Sequence, residues 1–293
     1  MPLLKLGIAL TNYVFVGSSG GGGGASAGYI YGGSSGSALQ DTDEYVPDTW
    51  TSKSDMPTPA RSGLAASTIG SSGYVYGGNA GSIKDTDEYT PDSWANKTDM
   101  PTPARGYLSA STIGSSGYVY GGSDLSESEL QDCDEYTPDT WANKTDMPTP
   151  GRWLLSSSTI GSSGYVYGGF GGSNLQDCDE YTPDTWANKT DMPVPARRLA
   201  AASTIGSSGY VYGGFSSSGD VQDCDEYAPD TWASKTNTPI PARRQLTATT
   251  IGVSGYICGG KTLVDCDEYT PDTWASKSDM PIPARYYLAA SSI

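Results

Sequence analysis

The carboxylates are the residues of this chain whose types and spacing come closest to chemistry. An Asp-x-Asp-Glu-Tyr-x-Pro-Asp string begins at Asp41, Asp85, Asp132, Asp177, Asp223 and Asp265, and it supplies 24 of the 33 acidic residues. Carboxylates this close together could ligate calcium, or act as the acid and nucleophile of a glycosidase. Sixfold repetition argues against both uses, because ligands repeated along an array are not gathered around one point and no carboxylate pair stands apart from the rest. The structural reading is therefore favoured: Asp and Glu alternate across a strand, some bonded to neighbouring backbone and others solvated. The chain has no histidine, which removes the usual general base and imidazole metal ligand together. No catalytic residue, metal or cofactor is expected, and a sugar-acting enzyme is the least favoured function. The net charge of −16 follows mainly from the repeat. It argues against nucleic acid as a partner, since no basic face is left to neutralise phosphates, and against adhesion to anionic lipid.

These carboxylates belong to a larger unit. One copy reads Gly164-Tyr165-Val166-Tyr167-Gly168-Gly169, then Asp179 to Trp186, then Met192-Pro193-Val194-Pro195-Ala196-Arg197. The Gly-Gly pairs start at Gly32, Gly77, Gly121, Gly168, Gly213 and Gly259, at intervals of 45, 44, 47, 45 and 46 residues. Trp50, Trp94, Trp141, Trp186, Trp232 and Trp274 keep the same beat, as do the closing arginines Arg61, Arg105, Arg152, Arg197, Arg243 and Arg285. A fixed period of this size predicts a closed array of like units. Within each unit the strand signals come in order: a small apolar run such as Leu199 to Ile205, Tyr-Val-Tyr, Cys-Asp-Glu-Tyr-Thr and Trp-Ala-Asn-Lys, separated by Gly-Ser-Ser-Gly, a variable loop and Pro-Asp. Four antiparallel strands per unit and six units in a ring predict an all-β, six-bladed propeller.

The order Gly-Gly, Tyr, Trp and Met-Pro-x-Pro-x-Arg resembles the kelch repeat over residues 28–293. Cys258 for Tyr, Thr238 for Met and Gly151 for Ala depart from it. The resemblance implies a kelch-type propeller, often a binder of a peptide or protein on the loop face, with arginines there commonly meeting acidic groups. Some kelch-type propellers are copper enzymes that use histidine, and that activity does not carry over to a chain without histidine.

Ring closure has two candidates. The first blade lacks a good first strand ahead of Gly28, whereas residues 286–293 copy a first strand with no unit after it, so the tail is expected to pair with Tyr29-Ile30-Tyr31. The alternative is closure by residues 10–16. Residues 1–27 read as an apolar segment with a Gly-rich linker, a worn extra strand at residues 13–17 being preferred to a signal peptide or a membrane span. Cys133, Cys178, Cys224 and Cys266 fall at one place in successive units, too far apart for a disulfide between them. They and Cys258 are expected to be small, free core residues, which fits a reducing compartment without excluding export or a virus particle.

Function is sought where the copies disagree. One such place is the loop after Gly-Gly, at residues 34–40, 79–84, 123–131, 170–176, 215–222 and 261–264. The other is the pair after the closing arginine, at Ser62-Gly63, Gly106-Tyr107, Trp153-Leu154, Arg198-Leu199, Arg244-Gln245 and Tyr286-Tyr287. Alternating strand direction brings both places to one face of the ring. Aromatics and arginines favour binding hot spots, so Tyr107, Trp153, Phe170, Arg198, Phe215, Arg243, Arg244, Gln245, Tyr286 and Tyr287 are the expected partner-binding residues. Inter-blade packing is an equal alternative for Trp153 and the Tyr286-Tyr287 pair. Most closing arginines are expected to satisfy the Asp of their own turn or a neighbouring carbonyl; the fifth unit has Asn237 in place of that Asp, and its Arg243-Arg244 doublet is expected to be more available to a ligand. The favoured function is a non-enzymatic module binding a protein or glycan. The alternative is a surface or virion component anchored through residues 1–27.

Overall fold

The computed structural model describes residues 25–79 and 83–293, which form six four-stranded antiparallel sheets with no α-helix among the described residues. The fourth blade shows the pattern: Ser156–Ile160, Ser163–Tyr167, Cys178–Thr182 and Thr185–Asn188 follow one another outward. The six first strands contact one another in a closed circuit and line a narrow central channel. Small residues are required there because six backbones converge: Ala66, Ala110, Ser157, Ala202, Ala248 and Ala290 surround a bore of about 140 Å³.

The C-terminal strand Ala289–Ser292 completes the first blade, with Tyr29 opposite Ser291, Ile30 opposite Ala290 and Tyr31 opposite Ala289. Closure by the tail is thus the observed arrangement, and it removes an open sheet edge. Ala27 is buried and exchanges both backbone bonds with Ile293, so paired backbone begins just ahead of Gly28. The expectations for residues 1–24 lie outside the described residues.

Three sets of contacts join the blades, the first two made six times and the third five times, since Cys258 stands where the sixth blade would supply its tyrosine. Each closing arginine is buried and reaches the second Asp of the acidic string on the next blade: Arg61 to Asp87, Arg105 to Asp134, Arg152 to Asp179, Arg197 to Asp225, Arg243 to Asp267 and Arg285 to Asp43. The expectation that most of these arginines serve the Asp of their own turn is corrected, and the last pair spans the ring closure. At the outer rim each repeat Trp donates its indole N–H to a carbonyl of the preceding blade, as Trp94 does to Ser54 at 2.9 Å and Trp50 to Ser278 at 2.8 Å. The Asp of the Pro-Asp turn receives the backbone N–H of that same residue, Ser54 to Asp92 at 2.9 Å and Ser278 to Asp48 at 3.2 Å. The third set packs a tyrosine of one second strand over a glycine of the next. A Cβ on Gly73 would stand 2.3 Å from the Tyr31 hydroxyl oxygen, so no larger residue fits.

The glutamates of the acidic strings stay within their own blades. Glu180 accepts from Tyr165 at 2.8 Å and pairs with Lys189 at 2.7 Å. Every acidic string therefore commits its second Asp and its turn Asp to contacts between blades and its Glu to contacts within one, and the structural reading of the repeat is the one observed.

Cysteine is the second correction. Cys133, Cys178 and Cys224 are free and buried, as expected, and burial pushes the Cys224 thiol up to about 12. Cys258 and Cys266, however, form a disulfide. The distance argument held for equivalent places in different units, whereas these two stand opposite each other on adjacent strands of one blade, with Cα atoms 4.2 Å apart.

Candidate functional site at the channel mouth

The two variable places meet on one face. After four of the six closing arginines, the first residue of the variable pair bridges across its blade to the residue following Gly-Gly. Trp153 pairs with Phe170, Arg198 with Phe215, Gly106 with Ser123 and Tyr286 with Ser34. These short bridges extend the inner hairpin of those four blades beyond the sheet and carry its side chains to the channel mouth.

The second residue of each pair does something different. Gly63, Tyr107, Leu154, Leu199, Gln245 and Tyr287 all have φ between 54° and 63°. Each donates its N–H to the carbonyl of its counterpart one blade back, at 2.7 to 3.1 Å, and Gly63 donates to Tyr287. Six backbone hydrogen bonds thereby close head to tail around the mouth. Five of these residues bear a side chain in the left-handed region, a conformation that costs on the order of 1 kcal/mol each. The ring of bonds holds them there. Above it lies a depression of about 90 Å³, lined by these residues and the leucines that follow several of them.

Nine of the ten expected residues gather here. Tyr286 contacts Tyr287 at 5.5 Å, Tyr287 contacts Tyr107 at 4.9 Å, Tyr107 contacts Trp153 at 5.3 Å and Trp153 contacts Phe170 at 6.2 Å between ring centroids. The Arg198 guanidinium then lies 4.5 Å from the Phe170 centroid and 5.4 Å from that of Phe215, and Arg244 lies 4.4 Å from Phe215. Gln245 lines the depression. Inter-blade packing and surface presentation coexist in these residues: Trp153, Tyr286 and Tyr287 pack on neighbours yet are only partly buried. Burial first, then the neighbouring Tyr287, raises the Tyr107 hydroxyl above its ordinary range, so at neutral pH it is an uncharged donor.

Arg243 is the exception and is corrected. It is 2 % exposed and paired with Asp267, in the same wheel of ion pairs as the other closing arginines. The missing local carboxylate at Asn237 frees nothing, because the partner comes from the next blade.

Three participants lie in the variable stretches but are not among the ten expected residues. Gly63 leaves room between Tyr287 and Tyr107; a Cβ there would stand 2.8 Å from the Tyr107 ring. Asp220 accepts from Arg244 at 2.9 Å, and its other oxygen lies 3.5 Å from the Lys261 ammonium. Their signals were present but weak: a glycine where five copies carry side chains, an acid outside the repeated string, and a lysine in the shortest variable loop.

The mouth is electrically lopsided. Six lysines and six arginines are committed to the repeated glutamates and aspartates. Of the remaining cations among the described residues, Lys84 sits in the second blade's loop, while Arg198, Arg244 and Lys261 stand together at the fifth and sixth blades. Across the mouth, the third blade's loop carries Asp124, Glu127 and Glu129. No group of His, Cys, Asp and Glu among the described residues is arranged to hold a metal ion.

Fold and site together define a six-bladed β-propeller with an aromatic and arginine-rich mouth. No family model and no curated protein matches the chain. The solved structure of YjhT superposes with a TM-score of 0.71 over 87 % of this chain and 97 % of that one, at 15 % identity. Likeness at that identity shows the fold alone.

Proposed function

We propose that this protein is a kelch-type, non-enzymatic recognition module that binds a protein or glycan partner across its channel mouth. The observation that carries the reading is the unbroken run from Tyr286 through Tyr107, Trp153 and Phe170 to Arg198, Phe215 and Arg244. Large rings and guanidinium groups bring contact area at low entropic cost and are the side chains that concentrate binding energy. They stand only at positions where the six copies differ, so the repeat does not require them. The absence of histidine from the sequence removes the commonest general base from any catalytic alternative.

Partners captured from the source by the native chain are to be retested with a Trp153→Ala, Arg244→Ala double variant whose cooperative melt is intact. Binding of each partner is expected to fall at least tenfold, on the order of the loss of one hot-spot residue. Undiminished binding of all of them sinks the mouth-face reading.

A further inference from the structure

We infer that Arg198, Arg244 and Lys261 form a carboxylate-binding subsite, and that Asp220 fills it from within the chain. The inference rests on the mouth being the ligand-binding face and gives that face a chemistry. Among the described residues, only the fifth blade's loop forms a two-stranded ladder, Phe215–Ser216 paired with Gly219–Asp220. Its last residue places both carboxylate oxygens against cations of the sixth blade, Oδ1 toward Arg244 and Oδ2 toward Lys261. A side-chain carboxylate held between two cations outside the repeated ion pairs shows what the subsite accepts.

The arginines are arranged for such a ligand. Phe170, Arg198, Phe215 and Arg244 alternate as a stack. Stacking covers the guanidinium faces, fixes their planes and leaves the in-plane N–H groups as the directional donors. Arg198 Nε has no acceptor, and neither has the nearby Trp153 indole N–H. A buried donor without an acceptor is a standing cost that a ligand oxygen removes. Arg244 and Lys261 share the one carboxylate of Asp220, and Arg198 makes no ion pair among the described residues, so a second anion is attracted even before the first leaves.

Asp220 is also displaceable. The side chains of Arg244 and Asp220 are 24 % and 20 % exposed and that of Lys261 is 52 % exposed, the setting in which an ion pair contributes little. The hairpin holds itself together through Ser216, whose hydroxyl donates to the Gly219 carbonyl and accepts from the Ser218 N–H. Losing the Asp220 contacts therefore leaves the hairpin formed. The net charge of −16 and the facing Asp124, Glu127 and Glu129 repel polyanions. The fitting ligand carries a single carboxylate beside a flat apolar surface that lies on Phe170 and Trp153.

The test titrates the native chain, Asp220→Asn and Arg244→Gln with two small probes, an acetylated and amidated aspartate and methyl glucuronoside. Their uncharged counterparts, the asparagine amide and methyl glucoside, are controls, and binding is read from backbone amide shifts around residues 215–220. Asp220→Asn is expected to tighten binding of at least one acidic probe about fivefold, the size of a surface ion pair removed from competition, and Arg244→Gln to abolish it. Which probe binds tells whether the carboxylate comes from a peptide or a sugar. The inference is overturned if Asp220→Asn binds neither acidic probe or binds no tighter than the native chain, if Arg244→Gln binds as well as native, or if the neutral controls bind equally. Partner capture is scored separately. Carboxylate binding with partner capture indifferent to the mouth variants sinks only the broader reading; the reverse result sinks only this one.

Discussion

The outer rim and the channel mouth both join blade to blade six times, yet only the rim repeats its side chains. At the rim the joining atoms belong to side chains, the indole N–H of tryptophan and the carboxylate of the turn aspartate. No other residue type presents the indole N–H at that reach, and only Asp or its isostere Asn presents the acceptor, so the side chains at the rim are tightly restricted. At the mouth the joining atoms are backbone N–H and C=O. Any residue but proline supplies both, and the side chains there are released for another purpose. Variation at the mouth is thus a consequence of how the ring is closed.

The comparison can be broken most severely at the seam. A chain ending at Arg285 loses the first strand of the first blade and the mouth bond from Gly63 to Tyr287. It is expected to yield no cooperatively folded monomer in calorimetry or size exclusion; a truncated monomer with unchanged melting temperature would defeat closure by the tail.

Next come two arginines of opposite standing. Arg105→Met leaves Asp134 buried without its partner and is expected to cost about 3–5 kcal/mol in denaturant unfolding, whereas Arg244→Met at the mouth should cost less than about 1 kcal/mol. Equal losses would mean that the mouth is as structural as the wheel of buried pairs.

Gln245 tests the backbone claim directly. Gln245→Pro removes the N–H that bonds to Leu199 and cannot adopt a φ of 62°, so a loss of about 3 kcal/mol or more is expected. Gln245→Gly keeps the bond and relieves the left-handed strain, and should change stability by less than about 1 kcal/mol. At the rim, Trp94→Phe keeps a ring but deletes the bond to Ser54, for an expected loss of about 1 kcal/mol.

The smallest effect is on pH dependence. Burial pushes Glu88, Glu135 and Glu180 upward, but hydrogen bonds from lysine, tyrosine and serine outweigh it and leave them below the ordinary carboxylate range. A folded-state pKa below the unfolded one gives stability that is present at neutral pH and lost as pH falls through the glutamate range. Burial has the opposite net effect on Asp87, Asp134 and Asp179, which stay above their ordinary range despite their arginines, so acid relieves them in part. Melting temperature should decline modestly as pH falls from about 5 to about 3, through and below the ordinary glutamate range, and Glu88→Gln should flatten that slope.

Strand order, blade count and the closing tail were legible because each is a local pattern multiplied by a period: alternating apolar residues, turn glycines and prolines, and one strand too many at the end. The face bearing the site was legible too, since strand direction alternates. The partners of charged groups were not. Arg61 has Asp55 six residues before it in the chain, yet it bonds Asp87 on the next blade; ion pairs follow the shape of the inter-blade cleft, which no spacing along the chain records. The same reason hid the disulfide of Cys258 with Cys266, which depends on strand register across a variable loop.

By itself, then, the sequence determined the blades, their number, their closure and the end of the ring where copies differ, because all of these follow from period and alternation. Only the tertiary structure decided that Arg243 is buried in the ring, that Gly63 lets two tyrosines meet, and that Asp220 stands between Arg244 and Lys261. Those are contacts between side chains on different blades, and they exist only once the ring brings residues far apart in the chain within a few ångströms of one another.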